Sequence, residues 1–358
     1  MKTNWYIHEN HNWEHLIISG DAGGTNTNIA IVGKKATTFD IILECVFPSD
    51  DVTVFLDTIT KTLEEFKLKF PELPISACCI SAAGAVVDNI CQMTNQDWAV
   101  DGKAIEDKLS IPTVLINDFM AISYSLPLLD INNPKQIEIL AHPDGSYPEA
   151  HGNVRAVMGA GTGLGVGFSM EYNNQYIACP SEGGHSDFAP YDELTTRLHT
   201  YMINKYKEAP AYELLVSGQG LVNIFQFFVE EEEKGELSPE VKEIKNTPDR
   251  NKPPLIAQYA EKDALCLKIM NLFIDIYGHA AASLNAILLP SDGFYLAGGI
   301  ISKNLKYFKE NYQFMKSFEK NSAPHIREFL RDVPVYVIKE YSTSLYGAAN
   351  AGYILLLQ

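Results

Sequence analysis

Asp118 is a residue whose type and position could do chemistry, since a carboxylate at the start of a helix can accept a proton. With Asn117 it stands in LINDFMAIS, at the end of an apolar run over residues 113–116. A carboxylate within hydrogen-bond reach of an attacking hydroxyl can take its proton, and a helix N-terminus keeps that carboxylate ionised. Asp and Asn are also favoured helix N-caps, so a purely structural role stands beside the catalytic one.

Two Gly-rich segments could hold phosphate groups. Each lies between two apolar runs, as in a unit of strand, turn and strand. Glycine lets backbone N–H groups approach an anion, and Asp21 could hold Mg²⁺ through water. Ordinary hairpin turns have the same composition, so either segment alone is a weak signal. The candidate residues are Gly20, Asp21, Ala22, Gly23, Gly24, Thr25 and Asn26 in the first segment, and Gly161 and Thr162 in the second.

The two segments form a weak internal repeat at about half the chain length, with the second copy over residues 154–170. Two domains built on this plan would turn both loops towards one cleft, and each would offer backbone N–H groups to a phosphate. In LAGGIIS, Gly298 and Gly299 lie between an apolar strand and a helix start, where missing side chains would admit an adenosine. The sequence contains no GxxxxGK[ST] motif, which excludes a P-loop. The repeat therefore predicts an ATP clamp.

Glu182 and His185, in EGGH, place a carboxylate and an imidazole three residues apart. One carboxylate and one neutral imidazole supply the mixture of donors and acceptors that several sugar hydroxyls need. The alternative is a loop Glu beside a structurally satisfied His. Glu213, in AYELLVSGQG, looks on its own like a solvated helix residue.

Composition limits the classes of protein and partner. A chain of 358 residues is long enough for two domains. Its net charge of -17 argues against nucleic acid and anionic membranes as partners. The six cysteines include no CxxC pair, and the N-terminus has no apolar signal region, so we expect a reducing, cytoplasmic location. Charged residues within the apolar stretch 265–289 favour a buried helix over a membrane span.

The pattern of apolar runs predicts the elements that position these residues. After the first hairpin we expect a strand over 40–47, a helix over 52–70, and strands over 75–81 and 113–116. Beyond Pro190 we expect helices over 192–205, 220–232 and 302–311, and a long one ending near residue 289. The charged, Pro-containing stretch 230–254 has the composition of a solvated surface excursion.

Seven motifs, taken together and in order, closely resemble the bacterial-type glucokinase family, from about residue 16 to the C-terminal helix. They are DAGGTN, MTNQDW, LINDF, GAGTGLG, EGGHSDFAP, ELLVSGQGLVNIF and AGGI. The resemblance implies an α/β, two-domain actin-like ATPase (ribonuclease H-like) fold with a cleft between a small and a large domain. The small domain would comprise residues 1–128 and 341–358, closed by a C-terminal helix over 344–356, and the large domain residues 129–340. Residues 1–15 and the acidic stretch from residue 230 fall outside the family pattern.

The resemblance also implies roles for the candidate residues. Asp118 matches the base that accepts the proton of the glucose 6-hydroxyl. Residues 20–25 and 161–163 match the two phosphate loops, and Gly298 with Gly299 the adenosine-side turn. ATP and Mg²⁺ would be needed, and similar enzymes are commonly homodimers. No zinc is predicted, because the CxCGxxGCxE site of the related ROK branch is missing from the sequence. The residues that match glucose-binding positions are Asn117, Asp118, Glu182, His185 and Glu213, with the backbone near Gly163.

Three alternatives remain at this point: a kinase for another hexose, a sugar-binding regulator without catalysis, and an ATPase that activates water. The regulator reading is opposed by the acidic charge and by the lack of a basic helix-turn-helix segment.

Overall fold

The structure is a computed structural model that describes residues 1–93, 96–233, 235–340 and 342–358. Two residues of the MTNQDW motif, Thr94 and Asn95, lie outside the described residues, as do Lys234 in the acidic stretch and Tyr341. The strands are β1 (Lys2–Trp5), β2 (His15–Ala22), β3 (Asn26–Lys35), β4 (Thr38–Pro48), β5 (Ala77–Ala82), β6 (Val86–Val87), β7 (Ile90–Gln92), β8 (Ala99–Asp101), β9 (Thr113–Asn117), β10 (Ile137–Leu140), β11 (Val154–Ala160), β12 (Leu164–Tyr172), β13 (Gln175–Cys179), β14 (Phe294–Ala297) and β15 (Val335–Ile338). The α-helices are α1 (Phe55–Lys67), α2 (Gly102–Leu109), α3 (Asp118–Ser125), α4 (Glu193–Tyr206), α5 (Gly218–Phe227), α6 (Pro239–Asn246), α7 (Lys252–Tyr259), α8 (Ala264–Leu288), α9 (Gly299–Lys309), α10 (Gln313–Phe318), α11 (Pro324–Asp332) and α12 (Thr343–Leu356).

The chain divides into two compact units. The first comprises Met1–Asp130, Phe168–Pro180 and Glu340–Gln358. The second comprises Ile131–Gly167 and Ser181–Lys339. β12 therefore begins in the second unit and ends in the first.

The first unit is built on a six-stranded sheet of order β1-β4-β3-β2-β5-β9. β2, β3 and β4 are antiparallel neighbours, whereas β5 and β9 run parallel to β2. α1 covers one face, because Phe55, Ile59 and Phe66 recur at helical spacing and are buried there. The predicted hairpin, the strands over 40–47, 75–81 and 113–116, and the helix over 52–70 are all confirmed.

α12 covers the opposite face, where Leu345 and Ala349 pack on Ile17, Ala30 and Val32. It also packs closely on α3. A Cβ on Gly347 would lie 1.7 Å from the carbonyl oxygen of Ala121 in α3. The predicted C-terminal helix is thus confirmed to within a residue at its N-terminal end, and it fixes α3, which begins with Asp118.

The sheet that begins in the second unit has the order β10-β15-β14-β11-β12-β13. β14 runs parallel to β11, and β15 runs parallel to β14. In the first sheet β2, the strand before a Gly-rich turn, lies between its hairpin partner β3 and β5, the first of two parallel strands. In the second sheet β11 lies in the same way between its hairpin partner β12 and β14. The internal repeat read from the sequence is therefore a repeat of sheet topology.

α8 is the central helix of the second unit. Asp263 caps its N-terminus by accepting a hydrogen bond from the Cys266 N–H at 2.9 Å, and α5, α7 and α10 pack against it. By length and composition α8 could cross a membrane, yet 61% of its apolar window is buried by the rest of the protein. This agrees with the buried helix predicted over 265–289. The other predicted helices correspond to α4, to α5 with the π-helical turn Phe228–Glu232 that follows it, and to α9.

Two expectations about the less typical segments need correction. The stretch 230–254 is not simply a solvated excursion, because α6 buries Val241 and Ile244. Composition alone missed this helix, since its two apolar residues stand among many charged ones. Residues 1–15, which fall outside the family pattern, include β1, an edge strand of the first sheet that pairs antiparallel with β4.

Candidate active site

Asp21, Asn117 and Asp118 gather at one edge of the first sheet. β2, β5 and β9 are parallel, and Ala22, Ala82 and Asn117 stand in one row across them. The carboxyl ends of these three strands therefore meet at the same edge, which is where ligands bind in open α/β sheets.

Asn117 rather than Asp118 is the N-cap of α3. Its Oδ1 accepts a hydrogen bond from the Phe119 N–H at 2.8 Å. Asp118 is the first helical residue, and its Oδ1 accepts from the same N–H at 2.9 Å. The capping role that competed with catalysis in the sequence therefore belongs to Asn117, and Asp118 carries its carboxylate at the positive end of the helix.

The carboxyl of Asp21 lies in an unfavourable place for a negative charge. Burial, and to a lesser extent the charge of Asp118, raise its pKa from 3.8 to about 7. The residue keeps some exposed surface, but its carboxyl has lost most of its hydration. A cation beside it would offset both causes.

Ser49 anchors the first Gly-rich loop, which joins β2 to β3. The loop closes by a hydrogen bond from the Gly23 N–H to the Asn26 carbonyl at 3.1 Å. The Ser49 hydroxyl donates to the Gly23 carbonyl at 2.7 Å, and the Ser49 N–H donates to the Thr25 carbonyl at 2.9 Å. These bonds use the carbonyl oxygens of Gly23, Thr25 and Asn26. Residues 24–26 of the loop are exposed.

In the second unit Glu213 lies against the second Gly-rich loop. Its Oε2 accepts a hydrogen bond from the Leu164 N–H at 2.9 Å. A Cβ on Gly163 would lie 2.4 Å from the same oxygen. Glycine is therefore required at position 163 for the Glu213 carboxylate to reach the loop backbone.

The EGGH turn is packed on the same loop. A Cβ on Gly184 would lie 1.9 Å from the Leu164 carbonyl oxygen, and the Tyr212 N–H donates to the Ser186 carbonyl at 2.9 Å. The side chains of Glu182 and His185 are largely exposed and approach each other to 3.9 Å. The structure thus brings Gly163, Glu182, His185 and Glu213 into one region of the second unit.

The second Gly-rich loop and the turn at Gly298 and Gly299 are also neighbours. β11 and β14 pair in parallel with Gly159 opposite Ala297, so the residues that follow them lie side by side. Gly298 has a φ of +94° and a Cβ position only 2.4 Å from the Ala160 carbonyl oxygen, hence it must be glycine. At Gly161 and Gly299, by contrast, an added Cβ would meet nothing within 4 Å. These two glycines border open space, and Gly299 begins the 11-residue helix α9, an arrangement suited to phosphate or nucleotide.

The donor groups fit a magnesium ion that is held mainly by nucleotide phosphates. Among the described residues no cluster of three or more His, Cys, Asp or Glu side chains could form a protein cage for a metal. Mg²⁺ usually keeps several waters and takes one or two carboxylates plus phosphate oxygens. Asp21, with its raised pKa, is the carboxylate that such a cation would stabilise.

A cavity of about 710 Å³ lies along α4 and α5 and contains none of the predicted site residues. In its wall Arg197 pairs with Glu232 at 2.8 Å and 3.0 Å, and Lys205 donates to the Asn223 side chain at 2.7 Å. We therefore do not connect this cavity with the candidate site.

Sequence reasoning missed Ser49 and Ser81. Ser49 holds the first loop, but it lies 26 residues beyond Gly23 in a polar, turn-like segment where Ser is expected for local reasons. Ser81 pairs with Asp21 across β2 and β5, and its fully buried hydroxyl has no hydrogen-bond partner within the described part of the chain. A polar residue inside an apolar strand was the only available signal for it.

This topology, present in two sheets that each carry a Gly-rich turn, is that of the two-domain actin-like ATPase fold. A solved glucokinase from an Antarctic psychrotroph has the same fold, with a TM-score of 0.78 at 22% identity over 95% of this chain and 99% of that one. The glucokinase family model matches residues 18–353. A glucokinase from Nostoc sp. is 35% identical over 93% of this chain and 98% of its own length, and one from Yersinia enterocolitica is 30% identical over 92% and 94%. The chain therefore belongs to the glucokinase family.

Proposed function

We propose that this chain transfers the γ-phosphoryl group of ATP to the 6-hydroxyl of glucose, with Asp118 as the general base. The observation that supports this assignment best is the family match over residues 18–353. Asp21 lies in a Gly-rich motif and Asp118 at a helix start, and both lie at the same sheet edge. They are close enough for the charge of Asp118 to raise the pKa of Asp21.

In the first unit, Asp118 orients the 6-hydroxyl and takes its proton as the hydroxyl oxygen bonds to phosphorus. The bond between the γ-phosphorus and the bridging oxygen breaks, and ADP leaves. Asn117 is the N-cap of α3, and the Asp118 carboxylate at the first helical position is proposed to act in this step. The Asn117 amide is proposed to hydrogen-bond a neighbouring sugar hydroxyl.

In the second unit, Glu182, His185 and Glu213 are proposed to bind sugar hydroxyls. The hydrogen bond from the Leu164 N–H fixes the Glu213 carboxylate and leaves its other oxygen for a ligand. Glu182 and His185 supply an acceptor and a titratable donor on one short turn. Such a set can hydrogen-bond plain hydroxyls, and polar groups that a bound sugar buries are left unpaired when one of its hydroxyls is missing.

ATP is assigned to the Gly-rich loops, including Ala22, Thr162 and the turn at Gly298 and Gly299. The backbone N–H groups of the loops would stabilise the charge on the phosphate oxygens. Mg²⁺, held by Asp21 through water, would neutralise the negative charge that the phosphates carry. We further propose a homodimer, and domain bounds of 1–128 with 341–358 and of 129–340.

The test is ADP formation from Mg-ATP with glucose, mannose, fructose or N-acetylglucosamine, and with no sugar. We expect glucose to give the highest kcat/KM. ADP release at the same rate without sugar would indicate an ATPase, and binding of glucose without turnover would indicate a regulator. A preference for another hexose would change the substrate and keep the reaction.

Asp118→Ala tests the base. We expect the variant to fold and kcat to fall by about 10²- to 10⁴-fold, which is the usual contribution of general-base catalysis. Asp57→Asn is a matched control, because Asp57 is an exposed carboxylate in the first turn of α1 in the same unit. Near-normal turnover of Asp118→Ala would refute the assignment of Asp118 as base.

A further inference from the structure

The strand that carries Asp118 is an edge strand, because β9 ends the sheet and pairs only with β5 in that sheet. Its outward-facing peptide groups belong to alternate residues, beginning with Thr113 and Leu115. An unpaired strand edge is free to shift or to pair elsewhere, and natural proteins usually cover it. The position of Asp118 therefore depends on what holds this edge.

A side chain covers the edge of β9 in place of a strand. Asn89 Nδ2 donates to the Thr113 carbonyl at 3.0 Å, and Asn89 Oδ1 accepts from the Leu115 N–H at 2.7 Å. A residue of a parallel neighbour strand would bond the same two groups, the carbonyl of one residue and the N–H two residues on. Glu106 of α2 extends this cover by accepting from the Thr113 N–H at 3.3 Å.

The backbone at Asn89 restricts which residues could do this. Asp88 and Asn89 form the two-residue turn between β6 and β7, with φ values of +51° and +62°. Gly, Asn and Asp are the residues that tolerate such values best. Glycine has no amide and aspartate has no donor when ionised, so asparagine alone among the three can make both bonds.

Gly102 makes room for this amide. A Cβ at position 102 would lie 2.4 Å from Asn89 Nδ2, and the Gly102 N–H donates to the Asn89 carbonyl at 2.9 Å. The turn at Asn89 is therefore held by hydrogen bonds to β9 and to Gly102 at the start of α2. Neither the family motifs nor the candidate site residues include Asn89, Glu106 or Gly102.

We propose that Asn89 is a positioning residue for Asp118: its amide replaces the missing neighbour strand of β9 and fixes the end of that strand, where Asn117 and Asp118 begin α3. This inference rests on the proposed role of Asp118 as base. Asn89 touches no reacting atom, and it acts through the backbone of β9.

The decisive variant is Asn89→Gly, because glycine readily adopts the positive φ of this turn and only the side-chain amide is lost. We expect kcat to fall by about tenfold or more, because a displacement of about 1 Å in a catalytic group is this costly. The KM for ATP should change by less than about twofold, since the Asn89 amide bonds Thr113 and Leu115 of β9, whereas the first Gly-rich loop is held by Ser49. Asn89→Asp keeps one of the two bonds, and its kcat should lie between those of Asn89→Gly and the wild type.

Asn174→Gly is the matched control. Asn174 holds the same second position in the two-residue turn between β12 and β13, with a φ of +61°. It is exposed, and its side chain has no hydrogen bond to any residue that the structure describes. We expect this variant to keep the kcat of the wild type.

The outcomes separate this inference from the proposed function. If the wild type forms no ADP in the presence of glucose, the proposed function fails. If the wild type is active and Asn89→Gly keeps its kcat, or if Asn174→Gly lowers kcat equally, the positioning role is overturned. Should Asn89→Gly not fold, Asn89→Asp and Gly102→Ala decide the question in the same assay, and normal kcat in both would overturn the role.

Discussion

Replacing Asp21 by Asn should stabilise the ligand-free protein at neutral pH. The folded protein holds the pKa of Asp21 at about 7, against an ordinary value of 3.8, through burial and the charge of Asp118. The folded state therefore binds the Asp21 proton more tightly than the unfolded state does. The contribution of Asp21 to the free energy of unfolding is thus most favourable at low pH, and it falls as pH rises from about 4 to about 7. Each pH unit of that interval is worth about 1.4 kcal/mol. The ionised Asp21 carboxylate thus costs the folded state at most about 4 kcal/mol at neutral pH. This value is an upper limit because the residue keeps some contact with water.

Tryptophan fluorescence reports on the unit that contains Asp21, since all three tryptophans, Trp5, Trp13 and Trp98, lie in the first unit. Urea unfolding would be followed at several pH values from about 4 to about 8 with EDTA present and ATP omitted. The gain in unfolding free energy from Asp21→Asn should be near zero at the lowest pH and reach a plateau of up to about 4 kcal/mol above about pH 7.

A second substitution separates the two causes of the raised pKa. Asp118→Asn removes the neighbouring charge and lowers the folded-state pKa of Asp21, so the fall in stability that starts near about pH 4 should end at a lower pH than in the wild type. Asp57→Asn, at an exposed position, should give no pH-dependent gain. A gain from Asp21→Asn that is the same at every pH would refute the reasoning, because it would come from packing and not from ionisation. Asp21→Asn should also lower activity with Mg-ATP, since the carboxylate is the proposed magnesium ligand.

Further predictions concern three glycines, two of which have a close neighbour and one of which borders open space. Gly163→Ala should raise the KM for glucose by about tenfold or more with little change in the KM for ATP, because the alanine Cβ would displace the Glu213 carboxylate. Steady-state kinetics with each substrate varied in turn will check this. Gly161→Ala should show the opposite split, since its Cβ would enter the open space assigned to phosphate; an equal effect on both KM values would contradict the assignment of the two glycines. Gly347→Ala should destabilise the first unit by about 3 kcal/mol, because its Cβ would lie 1.7 Å from the Ala121 carbonyl oxygen; unchanged urea unfolding would contradict the close packing of α12 on α3.

Local patterns predicted most of the strands and helices, because apolar runs and helical spacing are properties of neighbouring residues. The position of Asn117 and Asp118 at the end of a strand and the start of a helix followed from the apolar run before them, and the repeat of Gly-rich turns became a repeat of topology. Among the elements that were not predicted are β1 and α6. The apolar content of β1 is one partly buried Trp5, and α6 contributes only Val241 and Ile244 to the core.

Residues that act through distant partners could not be predicted in this way. Asn89 bonds groups that lie 24 and 26 residues further along the chain, and Ser49 bonds Gly23 at a separation of 26. In the sequence both belong to turn-like polar segments, where Asn and Ser are expected for local reasons. Their contribution depends on which strand the turn meets, and that is fixed only by the assembled sheet.

The glycines show the same limit at the site itself. A Gly-rich motif indicates that side chains are excluded, but it does not say whether protein or ligand excludes them. The structure separates the two cases: Gly163 is required by Glu213, whereas Gly161 and Gly299 face open space. Glycine at the open positions has no explanation in the packing of the described residues. A ligand that approaches the backbone there explains it, and the backbone N–H groups of a loop and of the first turn of α9 favour an anionic ligand.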